Sequence, residues 1–280
     1  MIYLELPQNG KSKAKRKPPA LISKPKADRS TASDKPVPKL ESETIIFENA
    51  RCKVTKINRD GEVFVVKTCQ QPDTIAAAAG EWTIEHRILS ELRHPNVIRL
   101  LDHNARLLAL RLEPLGSDLG KLADESGIST MSPDVQDRVL CGISSVLKFI
   151  HRNHATRYGQ IHNGGTPYYI PPEVALLKKR GPPGDIWAFG VTMLFVLKVI
   201  SLPKGRGWLI RDIPKGIGEA AFALTRWTIE MEEAALKLPS GHALVQRMLE
   251  PDQQKRITAA EVLAGLTTPA HMELHPPQTN

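Results

Sequence analysis

The chain has 280 residues, of which 41% are hydrophobic and 24% are charged, as is typical of a globular protein with one large or two small domains. The three cysteines are far apart in the sequence, which excludes a disulfide-rich scaffold and a zinc site, so we expect a reducing compartment, cytoplasmic or nuclear. The net charge of +8 is concentrated at the N-terminus, because residues 1–40 carry ten Lys and Arg against three acidic residues.

Residues 1–42 are predicted to be a disordered basic tail. Residues 8–42 are rich in Lys, Pro, Ser and Ala and nearly lack large apolar side chains, so they bury too little surface to offset their chain entropy. The basic cluster at residues 11–18 is typical of nuclear-import signals and of segments that bind polyanions. Any weak binding of nucleic acid or another polyanion is therefore expected within residues 1–40, and a solvated tail without a partner is the alternative.

A strand-rich segment is predicted to follow the tail. Alternating or clustered β-favouring residues predict strands at 44–47, 52–57 and 62–68, and the Asp60-Gly61 dipeptide is a turn signal between the last two. Residues 75–93 are predicted to form a helix, because Ile84, Ile88 and Leu92 recur about once per turn. Two further short strands are expected at 97–101 and 107–112.

The second half of the chain is predicted to be helical. Ser132 and Pro133 form a helix start signal, and the apolar stripe that follows ends near His151. Residues 185–202 are apolar nearly all round, which predicts a central helix, and their most apolar stretch is too short to span a bilayer. Further helices are expected at 244–250 and 258–266, the second capped by Thr258 with Glu261. Strands followed by helices indicate an α+β, two-lobed architecture.

Five sequence strings occur in an order that resembles the eukaryotic protein kinase domain, and its serine/threonine branch in particular. They are residues 63–67 ending in Lys67, the helix residue Glu85, the His-Pro-Asn-Val string at 94–97, residues 165–173 and residues 185–190. The resemblance covers residues 43–268. It implies a protein-kinase-like fold with a small β-rich N-lobe (about 43–113) and a helical C-lobe (about 116–268), truncated in the catalytic and activation region. Residues 269–280 are expected to be a disordered C-terminal tail.

The resemblance also implies which residues would bind nucleotide. Lys67 occupies the position of the lysine that holds the α- and β-phosphates, and Glu85 that of its carboxylate partner. The other ATP-binding positions implied by the resemblance are Val54 in the N-lobe, and Glu113 and Leu115 in the hinge between the lobes. The implied cofactor is ATP with magnesium, if any nucleotide binds.

Two parts of the family's catalytic apparatus are missing from this sequence. The three glycines of the phosphate-covering loop are replaced by Phe47, Asn49 and Cys52, whose side chains would crowd the phosphates. No aspartate occurs between Arg138 and Gly184, although the family places its catalytic base and a magnesium ligand in this region.

The string His151-Arg152-Asn153 is interpreted as the end of a helix and not as an altered catalytic loop. Only residues 152–163 separate His151 from Gly164, too few for a catalytic loop, a strand pair and an Asp-Phe-Gly motif. Neutral side chains hold magnesium poorly, and this applies to Asn153, His154, His162 and Asn163. His154 and His162 could pair on a transition metal, but solvated loop histidines are the simpler interpretation. No catalytic and no metal-binding residue is therefore assigned.

Other residues match motifs that hold the kinase fold together. The resemblance implies that Glu173 pairs with Arg256 and that Asp185 anchors the backbone of the catalytic loop. Trp187 and Gly190 complete the Asp-x-Trp-x-x-Gly motif. These five positions predict a kinase-like C-lobe and do not predict activity.

Three hypotheses for function remain open. The chain could be a natural pseudokinase that acts as a scaffold or protein-binding module, with a partner in an open groove beside Asp185. It could be an incomplete translation of an active serine/threonine kinase, through a skipped exon or an incorrect gene model. In the third hypothesis the basic tail is the functional part.

Overall fold

The structure, a computed structural model, describes residues 40–70, 74–153, 159–160, 165–177, 179–203, 207–215 and 219–267. The predictions for residues 1–39 of the N-terminal tail, for the C-terminal tail and for His154, His162 and Asn163 lie outside the described residues. The chain divides into a β-rich unit, which ends at Arg93 and resumes for Ile98–Pro114, and a helical unit, which comprises His94–Val97 and the chain from Leu115 onward. The predicted α+β, two-lobed kinase-like fold class is confirmed.

The β-rich unit is a five-stranded antiparallel sheet with one helix. The strands are β1 (Leu40–Glu48), β2 (Cys52–Arg59), β3 (Glu62–Cys69), β4 (Leu100–Asn104) and β5 (Ala109–Leu112), in the order β1-β2-β3-β5-β4. Helix α1 (Ile75–Glu91) packs against β3 and β4. The core between helix and sheet consists of Val65, Trp82, Leu89, Leu110 and Leu112.

Local signals position the strands and helix of this unit. Asp60 and Gly61 both have positive φ, 53° and 75°, which confirms the tight turn between β2 and β3. The side chain of Thr74 accepts a hydrogen bond from the Ala77 backbone N–H (3.2 Å) and so caps α1. Strand β1 begins at Leu40, inside the range predicted as tail, because its pairing with β2 extends to Arg59.

The helical unit is built around α4 (Pro182–Val196), most of whose residues are buried. The other α-helices described in this unit are α2 (Pro133–Asn153), α3 (Glu173–Leu177), α5 (Glu219–Leu236), α6 (Ala243–Met248) and α7 (Ala259–Leu266). The short strands β6 (Gly159–Gln160) and β7 (Lys179–Arg180) pair with each other. The predicted capping box is present, since Thr258 and Glu261 bond reciprocally at the start of α7.

Several element boundaries differ from the predictions. Helix α4 ends at Val196, before Leu202, because Lys198 adopts a positive φ of 65° and the Val199 N–H bonds back to the Leu194 carbonyl at 2.9 Å. Strand β4 begins later than predicted, because the Val97 N–H closes a turn onto His94 (3.1 Å). Helices α3 and α5 were not predicted from the sequence. Among the described residues, no helix has both the length and the hydropathy to cross a bilayer.

Candidate functional site

The β-rich unit brings Lys67 and Glu85 together. Lys67 lies near the end of β3, and its Nζ is 2.7 Å from each carboxylate oxygen of Glu85 on α1. Both side chains are partly buried. A carboxylate that accepts both bonds holds the ammonium in one direction, which suits a group that binds an anion.

The protonation of Lys67 is maintained by its partner. Burial acts to lower the pKa of Lys67, but the hydrogen bond and the negative charge of Glu85 outweigh it, so the pKa lies above its ordinary value. Lys67 therefore stays a cation throughout the physiological pH range. Together the two residues can present a fixed positive charge to a phosphate.

The turn between β1 and β2, where the resemblance would place the glycine loop, is stabilised by hydrogen bonds among its own residues. The Asn49 side-chain oxygen accepts hydrogen bonds from the Arg51 and Cys52 backbone N–H groups, both at 2.8 Å. The Asn49 N–H in turn donates to the Cys52 carbonyl (3.0 Å). A phosphate-binding loop needs free backbone N–H groups, and here three of them already have a partner in the protein.

The structure also describes the other three residues that the resemblance implies would bind nucleotide. Val54 is the cross-strand partner of Lys67 and packs against the core of the β-rich unit. The Glu113 carboxylate accepts from the Arg99 backbone N–H (2.7 Å), and the Glu113 N–H donates to the Arg99 carbonyl (3.1 Å). Leu115 is the first residue after this unit and belongs to the helical unit. Their roles toward a nucleotide stay predictions.

In the helical unit, Glu173 and Arg256 form a buried ion pair with two parallel hydrogen bonds, Nη1 to Oε1 at 2.8 Å and Nη2 to Oε2 at 2.9 Å. Their side chains are 7% and 0% exposed. Arg256 also donates to three backbone carbonyls, those of Glu250, Pro183 and Pro251. The pair is thus fully hydrogen-bonded on the arginine side, which a buried charge requires.

Trp187 and Gly190 both lie in α4 and pack closely against neighbouring segments of the helical unit. The Trp187 side chain is fully buried, and the Arg256 guanidinium lies 5.2 Å from the centre of its ring. A Cβ atom at Gly190 would lie 2.8 Å from Cγ of Leu249, so only glycine allows α4 to approach the chain this closely. Both residues serve packing in the described structure.

Asp185 has a side-chain partner that was not predicted. Its Oδ2 atom is 3.0 Å from Nε2 of His151, near the end of α2. His151 and Asn153 both lie within α2, as expected if this string ends a helix. The prediction that Asp185 anchors a catalytic-loop backbone concerns the chain after Asn153, most of which up to Gly165 lies outside the described residues, and it stays a prediction.

His94 has a structural role that sequence analysis did not assign. Its Nδ1 accepts from the Asn96 backbone N–H (3.1 Å), and its Nε2 is 3.0 Å from Oγ of Ser145 on α2. The ring also contacts Phe149. Because Nδ1 acts as an acceptor, the imidazole is neutral with its proton on Nε2. The His-Pro-Asn-Val string was the available signal, but it was used only for the family resemblance and gave His94 no partner.

The stability of the helical unit should depend on pH through His94. Burial lowers the pKa of His94 below its ordinary value, whereas the unfolded chain titrates near about 6.5. The unfolded state therefore binds the proton more readily, and the free energy of unfolding should fall as the pH drops through that range. Urea denaturation of the full chain across this range measures the slope, and His94→Gln should reduce it. Ser145→Ala should retain it, because burial and not the hydroxyl causes the shift.

The described residues fit only part of a magnesium–ATP complex. Lys67 with Glu85 suits a phosphate group. The backbone N–H groups that would bind the phosphates, however, already donate hydrogen bonds within the Asn49 turn. No group of three or more His, Cys, Asp or Glu side chains suited to a metal ion occurs in the described part of the chain. We therefore assign no step to a metal ion.

Comparison with known proteins finds similarity to calcium-dependent protein kinases. Calcium-dependent protein kinase 7 of Arabidopsis thaliana is 37% identical over 101 residues, which are 35% of this chain and 17% of the relative. Calcium-dependent protein kinase 3 of Oryza sativa subsp. japonica is also 37% identical over 101 residues, 35% of this chain and 16% of the relative. The chain spans about 17% of the length of the curated relatives it matches. No protein-family model matches the chain. The similarity supports a protein kinase domain.

Proposed function

We propose that the chain is a protein-kinase-like protein of the serine/threonine type that does not transfer phosphate. The observation that carries this proposal is the absence of any aspartate between Arg138 and Gly184. Phosphoryl transfer depends on carboxylates that orient the attacking hydroxyl and hold the magnesium ions. The Lys67–Glu85 pair supplies a cation for a phosphate but no base, and this supports binding without turnover.

The chain should show no kinase activity on generic serine and threonine substrates. Electrostatic stabilisation and positioning supply most of this catalysis, and both require the missing carboxylates. The measurement is radiolabelled phosphate incorporation by the purified full chain with magnesium and ATP. Lys67→Met is the matched control, because it removes the phosphate-binding cation. Turnover above background that Lys67→Met abolishes would contradict the proposal.

The origin of the missing segment can be tested separately. Sequencing the transcript across the codons for residues 150–165 distinguishes a natural pseudokinase from an incomplete translation. A transcript that encodes this sequence without interruption supports the pseudokinase. A transcript that contains a further in-frame segment with two aspartates would instead assign the activity to the longer protein.

A second candidate function, a protein-binding module, is favoured by an apolar stripe on α5. The stripe consists of Phe222, Ile229 and Leu236, which are 78%, 51% and 81% exposed. They follow one another at seven-residue intervals and therefore lie on one face of the helix. The predicted groove beside Asp185 borders residues outside the described part of the chain and stays a prediction.

Charge complementarity favours a second copy of this chain as the occupant of the stripe. Arg226 and Glu233 are exposed and flank the stripe on the same side, three residues before and four residues after Ile229. In an antiparallel, two-fold symmetric pairing of α5 helices centred on Ile229, Arg226 of each copy faces Glu233 of the other. Phe222 then packs against Leu236 of the second copy.

Self-association should be lost when the stripe is made polar. Sedimentation velocity of the full chain over a range of concentrations measures it, and the variant replaces Phe222, Ile229 and Leu236 by serine. Leu209→Ser is the matched control, since Leu209 is exposed but lies outside α5. Arg226→Glu should weaken the dimer, and adding Glu233→Arg should restore it. A chain that stays monomeric at every concentration would exclude this pairing.

A further inference from the structure

Two cysteines of the β-rich unit face each other across neighbouring strands. Cys52 begins β2 and Cys69 ends β3, and the two are direct partners in the antiparallel register. The Gln70 N–H donates to the Arg51 carbonyl at 2.6 Å, just beyond the pair. This bond pattern makes Cys52 and Cys69 a non-hydrogen-bonded pair, the closer of the two antiparallel pair types, with both side chains on one face of the sheet.

The pair spacing is compatible with a disulfide bond. Directly opposed residues in such pairs have Cα atoms about 4.5 Å apart, within the range that disulfides span. Hydrogen bonds to neighbouring segments hold both backbones in place. Cys52 bonds to Asn49 through its N–H (2.8 Å) and its carbonyl (3.0 Å), and the Cys69 N–H donates to the Leu108 carbonyl (3.0 Å). A bridge would therefore need little movement of the strands.

The surroundings of the pair affect how fast it reacts. Both cysteines are free and partly exposed. Burial raises the pKa of the Cys69 thiol, and the negative charges of Glu85 and Glu81 add to this, while Lys67 acts in the opposite direction. Because the thiolate is the reactive form, the reaction of Cys69 should accelerate as the pH rises.

We propose that Cys52 and Cys69 form a dithiol site that reacts with small disulfides, such as glutathione disulfide, to give an internal cross-strand disulfide. One cysteine thiolate attacks a sulfur of glutathione disulfide, forms a mixed disulfide and releases one glutathione thiolate. The second cysteine thiolate attacks the protein sulfur of the mixed disulfide and releases the second glutathione. The two cysteines lose two electrons and two protons, and the two released glutathione thiols gain them. Reduced glutathione reverses both steps.

The bridge would change the part of the sheet that holds Lys67. Cys69 lies two residues beyond Lys67 on the same strand face, so the disulfide would form beside the Lys67–Glu85 pair. It would close the loop made by β2, the Asp60-Gly61 turn and β3. Closing that loop restricts the unfolded chain, and we expect the oxidised protein to melt about 5 °C higher than the reduced protein.

The experiment uses the full chain carrying Cys141→Ser, which removes the exposed cysteine on α2. The protein is incubated with glutathione disulfide, quenched with an alkylating reagent and analysed by intact mass and peptide mapping. The expected product has lost the mass of two hydrogen atoms, contains a Cys52–Cys69 bridge and returns to the starting mass with excess reduced glutathione. The same treatment in concentrated urea should give a lower yield of the bridge.

Single variants separate the bridge from ordinary thiol modification. Cys52→Ser and Cys69→Ser, each in the Cys141→Ser background, should stop at a mixed disulfide with glutathione and show no rise in melting temperature. A protein with both cysteines that keeps one or two glutathione adducts, remains fully reduced, or forms only intermolecular disulfides would overturn the proposal. A folded protein that bridges no better than the urea-unfolded chain would overturn it as well.

Discussion

Replacing Arg256 by leucine is expected to lower the free energy of unfolding of the helical unit by about 3–5 kcal/mol. The reason is that Glu173 would keep its buried position and lose both of its hydrogen bonds to the guanidinium. The three carbonyls that Arg256 bonds would also lose this donor. Urea denaturation of the full chain, followed by circular dichroism at a helix wavelength, measures the loss.

The neighbouring residue supplies a matched control for this experiment. Lys255 is 74% exposed and forms an ion pair with Asp252 at 3.5 Å on the same turn of chain. Exposed pairs contribute at most about 1 kcal/mol, so Lys255→Leu should change stability little. Adding Glu173→Leu to Arg256→Leu should recover part of the loss, because the unpaired carboxylate is then removed. Equal effects of Arg256→Leu and Lys255→Leu would contradict the importance of the buried pair.

Trp187→Ala should destabilise the same unit by about 3–5 kcal/mol, because it leaves a large cavity in the core around α4. The indole is fully buried, and its N–H finds no hydrogen-bond acceptor among the described residues. Trp187→Phe should therefore cost less than Trp187→Ala, since it keeps most of the apolar volume and removes an unsatisfied donor. The exposed Leu209 provides the control, and Leu209→Ala should cost under about 1 kcal/mol.

The effects of Trp187→Ala and Arg256→Leu on the free energy of unfolding should not be additive. The guanidinium lies over the indole ring, so the double variant should lose less stability than the two single variants together. A double-mutant cycle from urea denaturation gives the coupling directly. Strict additivity would mean that the ring and the cation do not stabilise each other.

Local signals allowed parts of the fold to be predicted from the sequence. The Asp60-Gly61 turn and the Thr258 capping box depend on residues that are neighbours in the chain, and both are present as predicted. Helix α5 was missed, although the buried Ala220, Leu224, Met231 and Ala235 show helical spacing. Helix α4 ends earlier than its apolar composition suggested, because composition does not reveal that Lys198 adopts a left-handed backbone conformation.

Side-chain partners were harder to predict than the elements that hold them. Judged by sequence separation alone, the cysteines are far apart. Cys52 and Cys69 are nevertheless equally distant from the Asp60-Gly61 turn, so counting residues outward from that turn along both strands predicts that they are cross-strand partners. The Asn49 side chain closes the β1–β2 turn through an interaction that depends on one rotamer and leaves no periodic trace in the sequence. The hydrogen bond between Asp185 and His151 joins two helices, and it likewise leaves no periodic trace in the sequence.

The distance along the chain between Glu173 and Arg256 has a consequence for folding during synthesis. The two residues are 83 positions apart, and at ordinary rates of translation the ribosome needs roughly 4–17 s to add that many residues. During this interval the carboxylate of Glu173 must stay hydrated, so the chain around α3 cannot complete its packing. The strands of the β-rich unit pair with partners that are closer in sequence than Glu173 and Arg256. This sheet can therefore form while the ribosome is still synthesising the helical unit. The nascent chain should therefore carry a finished sheet followed by an unfinished helical segment whose apolar surface is still exposed to solvent.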